Sequence, residues 1–497
     1  MGERKYQAIV IGGGASGMAA AIAALEEKAL QGAGKERGSV LLLESNDRVG
    51  KKILATGNGK CNFTHENVSA EHYNTDDVGV LQSVLAGFST KDALRFFEKM
   101  GMLSREKNGY FYPLSETAST VLDVLRLRLS ELGCDIRCGV CVERIEKSKE
   151  GFLVCFREQE RLREVSCGSV ILATGSKAGG FLQNKQENPL RLAKSLGLHS
   201  TALYPALTKC ICRETHYYKQ LAGVRAQVEL ALYAENDPGK KTGGRAINGF
   251  AERQNHKNKS CAKEPMSGRP DEKTEKCGLK LLKQENGELQ LTKDGISGIA
   301  VFQLSGTIAQ KLSEKKRVIV EINFLPGFRE DTLKDWAKKR LSLLPERTLE
   351  EFFLGVLHKK VLGVCLQAEG FSATMKLPVA NDHAGPDGMK VGSGTGSAIG
   401  GDCAENRAVM MVMSVMKRAM HFTTEVTGVS DMRQAQVCRG GLSLSQFTEK
   451  LECKKIPGLF ACGEVLNVDG ECGGYNLHFA WGSGILAGRE AMRKCRK

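Results

Sequence analysis

Apart from its first 25 residues, the 497-residue chain has no apolar run that approaches the length of a membrane span. The exception, Ala8 to Leu25, follows Arg4 and Lys5, but four of its eighteen residues are glycine and one is serine. That composition argues against a signal peptide or an anchor. Metal-site spacing is lacking as well. Cys210 and Cys212 can share a strand face, yet no histidine or further cysteine cluster joins them, so no metal is expected. Cys138 and Cys141 form a C-x-x-C, but their surroundings read as a β-hairpin, where positions three apart face opposite sides. A redox pair is therefore not expected. Seventeen cysteines without a leader read as free thiols in a reducing compartment, which makes the expected location cytoplasmic.

Positive charge is in excess: the formal net charge is +14, a balance that suits an acidic partner. The excess is uneven. Asn236 to Lys283 holds twelve Lys/Arg against six Asp/Glu and few apolar residues. It reads as a solvated, disordered insertion. Aromatic residues make up 6% of the chain, and no aromatic ladder runs through this segment, so nucleic acid is not the expected partner. The length implies roughly two to four domains.

The organising stretch is that same N-terminus. Ala8 to Ile11 reads as a buried parallel strand, and Gly12, Gly14 and Gly17 complete G-x-G-x-x-G before a helix of small residues. Gly12 permits the tight turn, Gly14 the approach of a pyrophosphate, and Gly17 the close packing of helix on strand. Ala15 and Ser16 open the helix, whose positive end faces the phosphates. A second strand, Ser39 to Leu43, ends at Glu44 and Ser45. Glu44 suits the adenosine ribose hydroxyls and would repel a 2′-phosphate, which excludes NADP at this position. The gap between Gly17 and Glu44 exceeds the usual spacing of about 20 residues, and the excess fits an insertion at Ala29 to Gly38.

Asp47 to His65 (DRVGKKILATGNGKCNFTH) is too glycine-rich for a regular element and should wrap over a cofactor. It resembles the R-x-x-K-I-L-x-[ST]-G-x-G-[KR]-C-N-x-T segment of a family of FAD-binding flavoproteins, known as aminoacetone-oxidase-type or bile-acid-reductase-type oxidoreductases. Asn108 to Ala118, Val170 to Gly175 (VILATG), Pro205 to Leu207, Gly295 to Gly298 and Ala435 to Ala487 are similar to further segments of that family. The chain departs from the family at Ser176 and in the loop Lys177 to Asn188.

The resemblance implies an α/β fold: a Rossmann-like FAD-binding domain interrupted by a β-rich, barrel-like domain that itself carries a helical insertion. The expected boundaries are 1–200 for the first part of the FAD domain and 201–325 for the β-rich domain with its insertion 236–283. A helical domain with a Gly-rich loop follows at 326–403, then a return through a helix at 404–434 and the second FAD part at 435–497. Helical periodicity between Asp331 and Phe371, and a Met-rich helix at Ala404 to Thr424, fit this nesting. FAD contacts are expected from Gly12, Gly14, Ala15, Ser16, Gly17, Glu44, Ser45, Lys51, Thr56, Gly57, Gly59, Cys61 and Asn62 in the N-terminal part. Val142, Thr174, Gly175, Gly463, Glu464, Gly473, Gly474, Tyr475 and Asn476 complete the set, with Glu464 toward the ribityl chain. Gly473 and Gly474 let backbone approach a planar ring, and the helix beginning at Tyr475 would aim its positive end there.

Tyr475 and His478 are the expected catalytic groups, with Tyr112 a third option and a steric role for Cys61. Three functions stay open. The first is an NAD(P)H-dependent reductase of a hydrophobic unsaturated carbonyl compound, which in the family includes 3-oxo bile-acid intermediates. The second is an amine oxidase, and the third a flavin-containing RNA-binding or RNA-modifying protein. No second G-x-G-x-x-G is present, so NADH or NADPH would bind transiently over the flavin.

Overall fold

In the computed structural model, residues 5–30, 39–181, 188–236, 275–276, 278–378 and 399–495 are described. The expected insertion at 29–38, the basic segment 236–283 and the Gly-rich stretch 378–402 therefore fall largely outside the described residues, as does half of the loop 177–188. Two compact units emerge: residues 1–208 with 430–497, and residues 209–429. No described helix is long and apolar enough to cross a membrane.

The first unit is built on a seven-stranded sheet. Strands β1 (Lys5–Ile11) and β2 (Val40–Glu44) are followed by a separate three-stranded sheet from β3 (Thr64–His65), β4 (Ser104–Lys107) and β5 (Tyr110–Pro113). Then come β6 (Asp135–Cys138), β7 (Cys141–Ser148), β8 (Gly151–Glu158), β9 (Arg161–Leu172) and, near the end of the chain, β10 (Leu459–Ala461). The large sheet runs β6-β2-β1-β9-β8-β7, with β10 also on β9. Its half from β6 to β10 is parallel, with Ile11 beside both Leu43 and Leu172, and Leu172 beside Ala461. Val40 to Glu44 are all buried, as a parallel strand covered on both faces requires.

Three helices matter for the site: α1 (Ala15–Leu30), α2 (Ala118–Glu131) and α3 (Tyr475–Lys494). α2 buries Val121, Leu122, Leu125 and Leu129 on one face. α1 and α3 are pressed together through small residues. A methyl group on Gly484 would lie 2.3 Å from the Ser16 carbonyl oxygen, and one on Gly488 would lie 2.1 Å from that of Ala20. Backbone contact this close tolerates only hydrogen at those positions, so the two ends of the sequence are joined along one seam.

The C-x-x-C differs from its sequence reading. Cys138 ends β6, which is parallel to β2, and Cys141 begins β7, so the chain turns between them and they do not share a strand. Neither forms a disulfide.

The second unit is a closed six-stranded antiparallel barrel. Its strands run 225–235, 318–323, 422–429, 210–212, 295–297 and 279–292, and the last pairs again with the first. Arg225–Glu235 alternates, burying Val228, Leu230, Leu232 and Ala234. Helices Leu333–Leu343, Leu349–Phe352, Lys359–Glu369 and Ile399–Met420 share its core, where Phe352, Phe353, Val412 and Met416 are buried. The Met-rich helix stops at Met420, and Phe422–Val429 is a barrel strand rather than a helical end. Ile299–Ser313 forms a further helix of this unit.

Candidate active site

The site is assembled in the first unit, where the turn after β1 meets the C-terminal segment. Gly12 has φ +109°, and a methyl there would lie 2.2 Å from the Ala173 carbonyl oxygen. At Gly17 a methyl would lie 1.8 Å from the Gly12 oxygen. Gly14 has nothing within 4 Å of its missing side chain. These three environments match tight turn, helix-on-strand contact and open approach for a ligand. Glu44 is buried at the end of β2. Its Oε2 accepts from the Gly13 amide at 2.7 Å, and its Oε1 accepts from the Asn46 amide and side chain, both at 2.8 Å. The carboxylate is thus fixed, with acceptor capacity remaining for a ribose. Ser45 lies against it, 3.4 Å from Oε1.

Residues Lys51–Gly59 form an irregular 3-10 segment, broken at Thr56, Gly57 and Asn58. Lys51 pairs with Asp47 at 2.5 Å, and Thr56 Oγ1 donates to the Ile53 carbonyl at 2.6 Å. Gly57 and Gly59 have φ +55° and +83°. An open cleft of about 310 Å³ beside this segment is lined by Arg48, Lys51, Leu54, Ala55 and Phe181. Cys61 is fully buried, and burial pushes its thiol up to about 12, so no thiolate is available for a covalent link. Asn62 is buried, and its Oδ1 has no hydrogen-bond partner. A methyl on Gly474 would lie 2.8 Å from that oxygen.

From the C-terminal part, Gly463 packs on Ser16 and donates its amide to Ser483 Oγ at 3.0 Å. Ser16 Oγ lies 3.4 Å from the Cys462 carbonyl oxygen. Glu464 is held twice, by Lys52 Nζ at 2.6 Å and by the Cys438 amide at 3.0 Å. Lys52, absent from the expected contacts, ties the two halves of the site together. Gly474 caps α3 in the left-handed region, φ +95°, so the free N–H groups of the first helical turn begin beside Asn62. Val142 lies on β7, its carbonyl taken by Arg191 at 2.6 Å, and Thr174 Oγ1 donates to the Pro189 carbonyl at 2.8 Å. Gly175 has φ +65°.

Three side chains do not match their expected roles. His478 is 1% exposed. Its Nδ1 lies 2.7 Å from Thr64 Oγ1 and its Nε2 2.9 Å from the Phe88 carbonyl. The carbonyl can only accept, so Nε2 carries the proton and Nδ1 accepts from the threonine. Burial lowers its pKa to about 4, leaving a neutral ring with no proton to deliver. Tyr475 is 5% exposed. Its ring stacks on His72 at 4.6 Å and on His65 at 5.0 Å, so it is engaged by protein rings. Its hydroxyl donates to His65 Nδ1 at 3.2 Å, a nitrogen that also accepts from the Asn67 amide. Burial, then Glu471, raises the phenol to about 12. Asn476 folds back on its own loop, accepting from the Gly470 amide at 2.8 Å and donating to the Gly470 carbonyl at 2.7 Å.

Sequence reasoning missed the partners that hold this end of the site. His65 and Tyr110 come from the three-stranded sheet, and His72 is held by Glu471 at 3.0 Å. Asp469, 4% exposed, pairs with Arg439 at 3.1 Å. None of these sits in a motif whose spacing announces it.

Comparison with known proteins identifies the group to which this architecture belongs. Residues 6–490 match the family described as HI0933-like protein Rossmann domain. The chain belongs to the HI0933-like family. It is an enzyme, an FAD-dependent oxidoreductase. The chain is 30% identical to a 3-dehydro-bile acid delta(4,6)-reductase from Clostridium scindens, over 98% of each protein. It is 24% identical to a ribosomal RNA dihydrouridine synthase from Haemophilus influenzae, again over 98% of each. Among solved structures, it is similar to a 3-ketosteroid-delta4-(5alpha)-dehydrogenase from Rhodococcus jostii RHA1. That match covers 98% of this chain and 97% of the other, with 14% identity and a TM-score of 0.42. The residues present fit FAD: an open approach at Gly14, a fixed carboxylate at Glu44, an unpartnered Oδ1 on Asn62 and a helix end at Gly474.

Proposed function

We propose that this HI0933-like enzyme reduces the C=C bond of an apolar ring compound in which that bond is conjugated to a carbonyl, such as a 3-oxo-4-ene steroid or bile-acid intermediate. NADH or NADPH supplies the electrons. The observation that carries the reading is the charge around Gly473. Glu66, Glu71 and Glu471 all act on Tyr475, Glu106 takes the Gly109 amide at 2.5 Å, and Glu116 holds both Lys60 and Arg105. Against Lys60, Arg105 and Lys107 stand Glu66, Glu71, Glu106, Glu116 and Glu471, a net negative field that disfavours a phosphodiester and tolerates a neutral substrate. The 30% relative, named for reduction of a bile-acid double bond, agrees with this class.

FAD, which Gly14 and Gly474 would flank, would supply two-electron hydride chemistry when bound. The chain's part is to bind and orient it. Gly12, Gly14, Gly17 and Glu44 hold the adenosine half. Asn62, Glu464 and the first turn of α3 serve the ring and ribityl half, with Gly57, Gly59 and Cys61 as backbone or packing neighbours. The free N–H groups of α3 favour negative charge on a group at Gly474, an effect of about 0.3–1 kcal/mol when exposed and more when buried. His478 and Thr64 fix α3 against Phe88, which sets where those N–H groups point.

The second reading, reduction of a uracil ring in RNA, draws on the +14 charge and on the dihydrouridine synthase relative. Both substrates carry a C=C conjugated to a carbonyl, so the chemistry is shared and only the recognition differs. Anaerobic protein bleached with NADH or NADPH separates them. Recolouring by a 3-oxo-4-ene steroid is the expected result. Recolouring by ribosomal RNA alone overturns the apolar reading, and bleaching by an amine alone points to an oxidase instead.

A further inference from the structure

Two phenols at the Gly473 end are left: Tyr112, the third option for the catalytic group, and Tyr110, which had no expected role. Tyr110 and Tyr112 lie two apart on β5 and so share a face, while Phe111 between them packs into the core with Phe63 and Phe97. Both tyrosines are half-buried, and neither hydroxyl makes a hydrogen bond to a described residue. The Tyr110 ring borders Gly473, where a methyl would lie 2.7 Å from its Cε1. Each phenol is held above its ordinary pKa, first by burial, and each has the other or Cys472 as a near neighbour. They remain protonated across the physiological range. Among the described residues at this end, Tyr475 is committed to His65, His72 Nδ1 to Glu471, Asn476 to Gly470, and Lys60 to Glu116.

We propose that Tyr110 and Tyr112 bind the carbonyl oxygen of the substrate, donating two O–H hydrogen bonds to it. This rests on the conjugated-carbonyl reading above and adds the residues that recognise that group. Two donors on one face suit an oxygen with two lone pairs. They also favour the shift of electron density onto that oxygen which accompanies attack at the far end of the double bond. The carboxylates nearby make the same face a poor site for an anion, so the part of the ligand that meets it is a neutral enone ring rather than a carboxylate or a phosphate.

The test needs no turnover. A 3-oxo-4-ene steroid is bound to the oxidised, FAD-loaded enzyme, and its carbonyl stretch is read by difference infrared spectroscopy. The stretch is expected to move to lower wavenumber on binding, to recover part of the way in Tyr110→Phe and in Tyr112→Phe, and to recover fully in the double variant. Affinity should fall about five- to tenfold per hydroxyl lost. Each variant keeps its ring, and an unchanged visible flavin spectrum certifies an intact site. Steroid binding with a stretch that is the same in wild type and double variant overturns the assignment while leaving the reductase reading standing. Failure of the steroid to bind wild type overturns both.

Discussion

Two ends of one cradle in this enzyme are built from opposite materials. At the first, Gly12, Gly14, Gly17 and Glu44 present backbone and a single carboxylate, and the fit depends on what is missing: three side chains that would each collide or obstruct. At the second, His65, His72, Tyr110 and Tyr475 present rings, and the fit depends on stacking and on which hydroxyl is already spent. The glycine end makes a surface suited to the pyrophosphate and free ribose hydroxyls that several dinucleotides share. The aromatic end makes a surface whose shape depends on which rings stack and which hydroxyls are spent. General recognition is thus encoded by absence of side chains, and selectivity by their mutual arrangement.

Breaking the glycine end should have the largest effect. In Gly17→Val, side-chain carbon is forced into the Gly12 carbonyl, 1.8 Å from the methyl position. Overpacking typically costs about 1–3 kcal/mol, and backbone has less room to yield than a side chain. The purified variant should be colourless and melt earlier. A yellow variant of native stability would remove the dinucleotide turn from the argument.

The buried histidine next to the aromatic end gives the second effect, through pH. His478 has a folded pKa near 4 against 6.5 for the ordinary ring. A lowered pKa means that the unfolded chain binds the proton more tightly, so stability is full above about pH 6.5 and drains away as the pH falls toward 4. The shift corresponds to roughly 3 kcal/mol, an order-of-magnitude figure. Urea midpoints at pH 7.5 and pH 5 should differ by more in wild type than in His478→Gln. Equal slopes would mean that the ring is not buried neutral.

This contrast also explains what the sequence made legible. Ala8 to Ile11, the glycine spacing and Glu44 form a local signal, because strand, turn and helix are contiguous and each glycine has one steric reason. The seam between α1 and α3 was readable only as a pairing of distant motifs; Gly484 and Gly488 could be seen, but not that Ser16 and Ala20 face them. The roles of Tyr475 and His478 were misread because proximity in sequence to Gly474 says nothing about partners contributed from elsewhere. Thr64, Phe88 and His65 are some 400 residues away, and they decide that both side chains are spent on structure. The same long-range contacts leave Tyr110 and Tyr112 with open hydroxyls. No spacing rule reports a hydroxyl that lacks a partner.

Weakening the carboxylate of the glycine end should have a smaller effect. In Glu44→Gln the Gly13 amide keeps an acceptor, but the charge assisting the ribose contact is lost. FAD should bind about tenfold more weakly, in line with roughly 1.5 kcal/mol for one charge-assisted hydrogen bond. Fluorescence titration of apoprotein with FAD measures this. If affinity is unchanged, Glu44 serves only the turn, through Gly13 and Asn46.

The smallest effect expected is none at all, and it bears on what the positive charge is for. The chain carries +14 overall, while the Gly473 end is ringed by Glu66, Glu71, Glu106, Glu116 and Glu471. If the substrate is a neutral enone, the basic segment 236–283 contributes nothing to its recognition. Residues 239–273 can be excised from that segment, leaving the barrel strands on either side intact. The rate of flavin reoxidation by a 3-oxo-4-ene steroid should then match the full-length protein at every salt concentration. Were RNA the substrate, the same deletion would lower affinity and flatten the salt dependence, since each lost phosphate contact removes about one unit from that slope. A steroid rate that falls with the deletion would mean that charge, and not the aromatic face alone, takes part in selecting what the enzyme reduces.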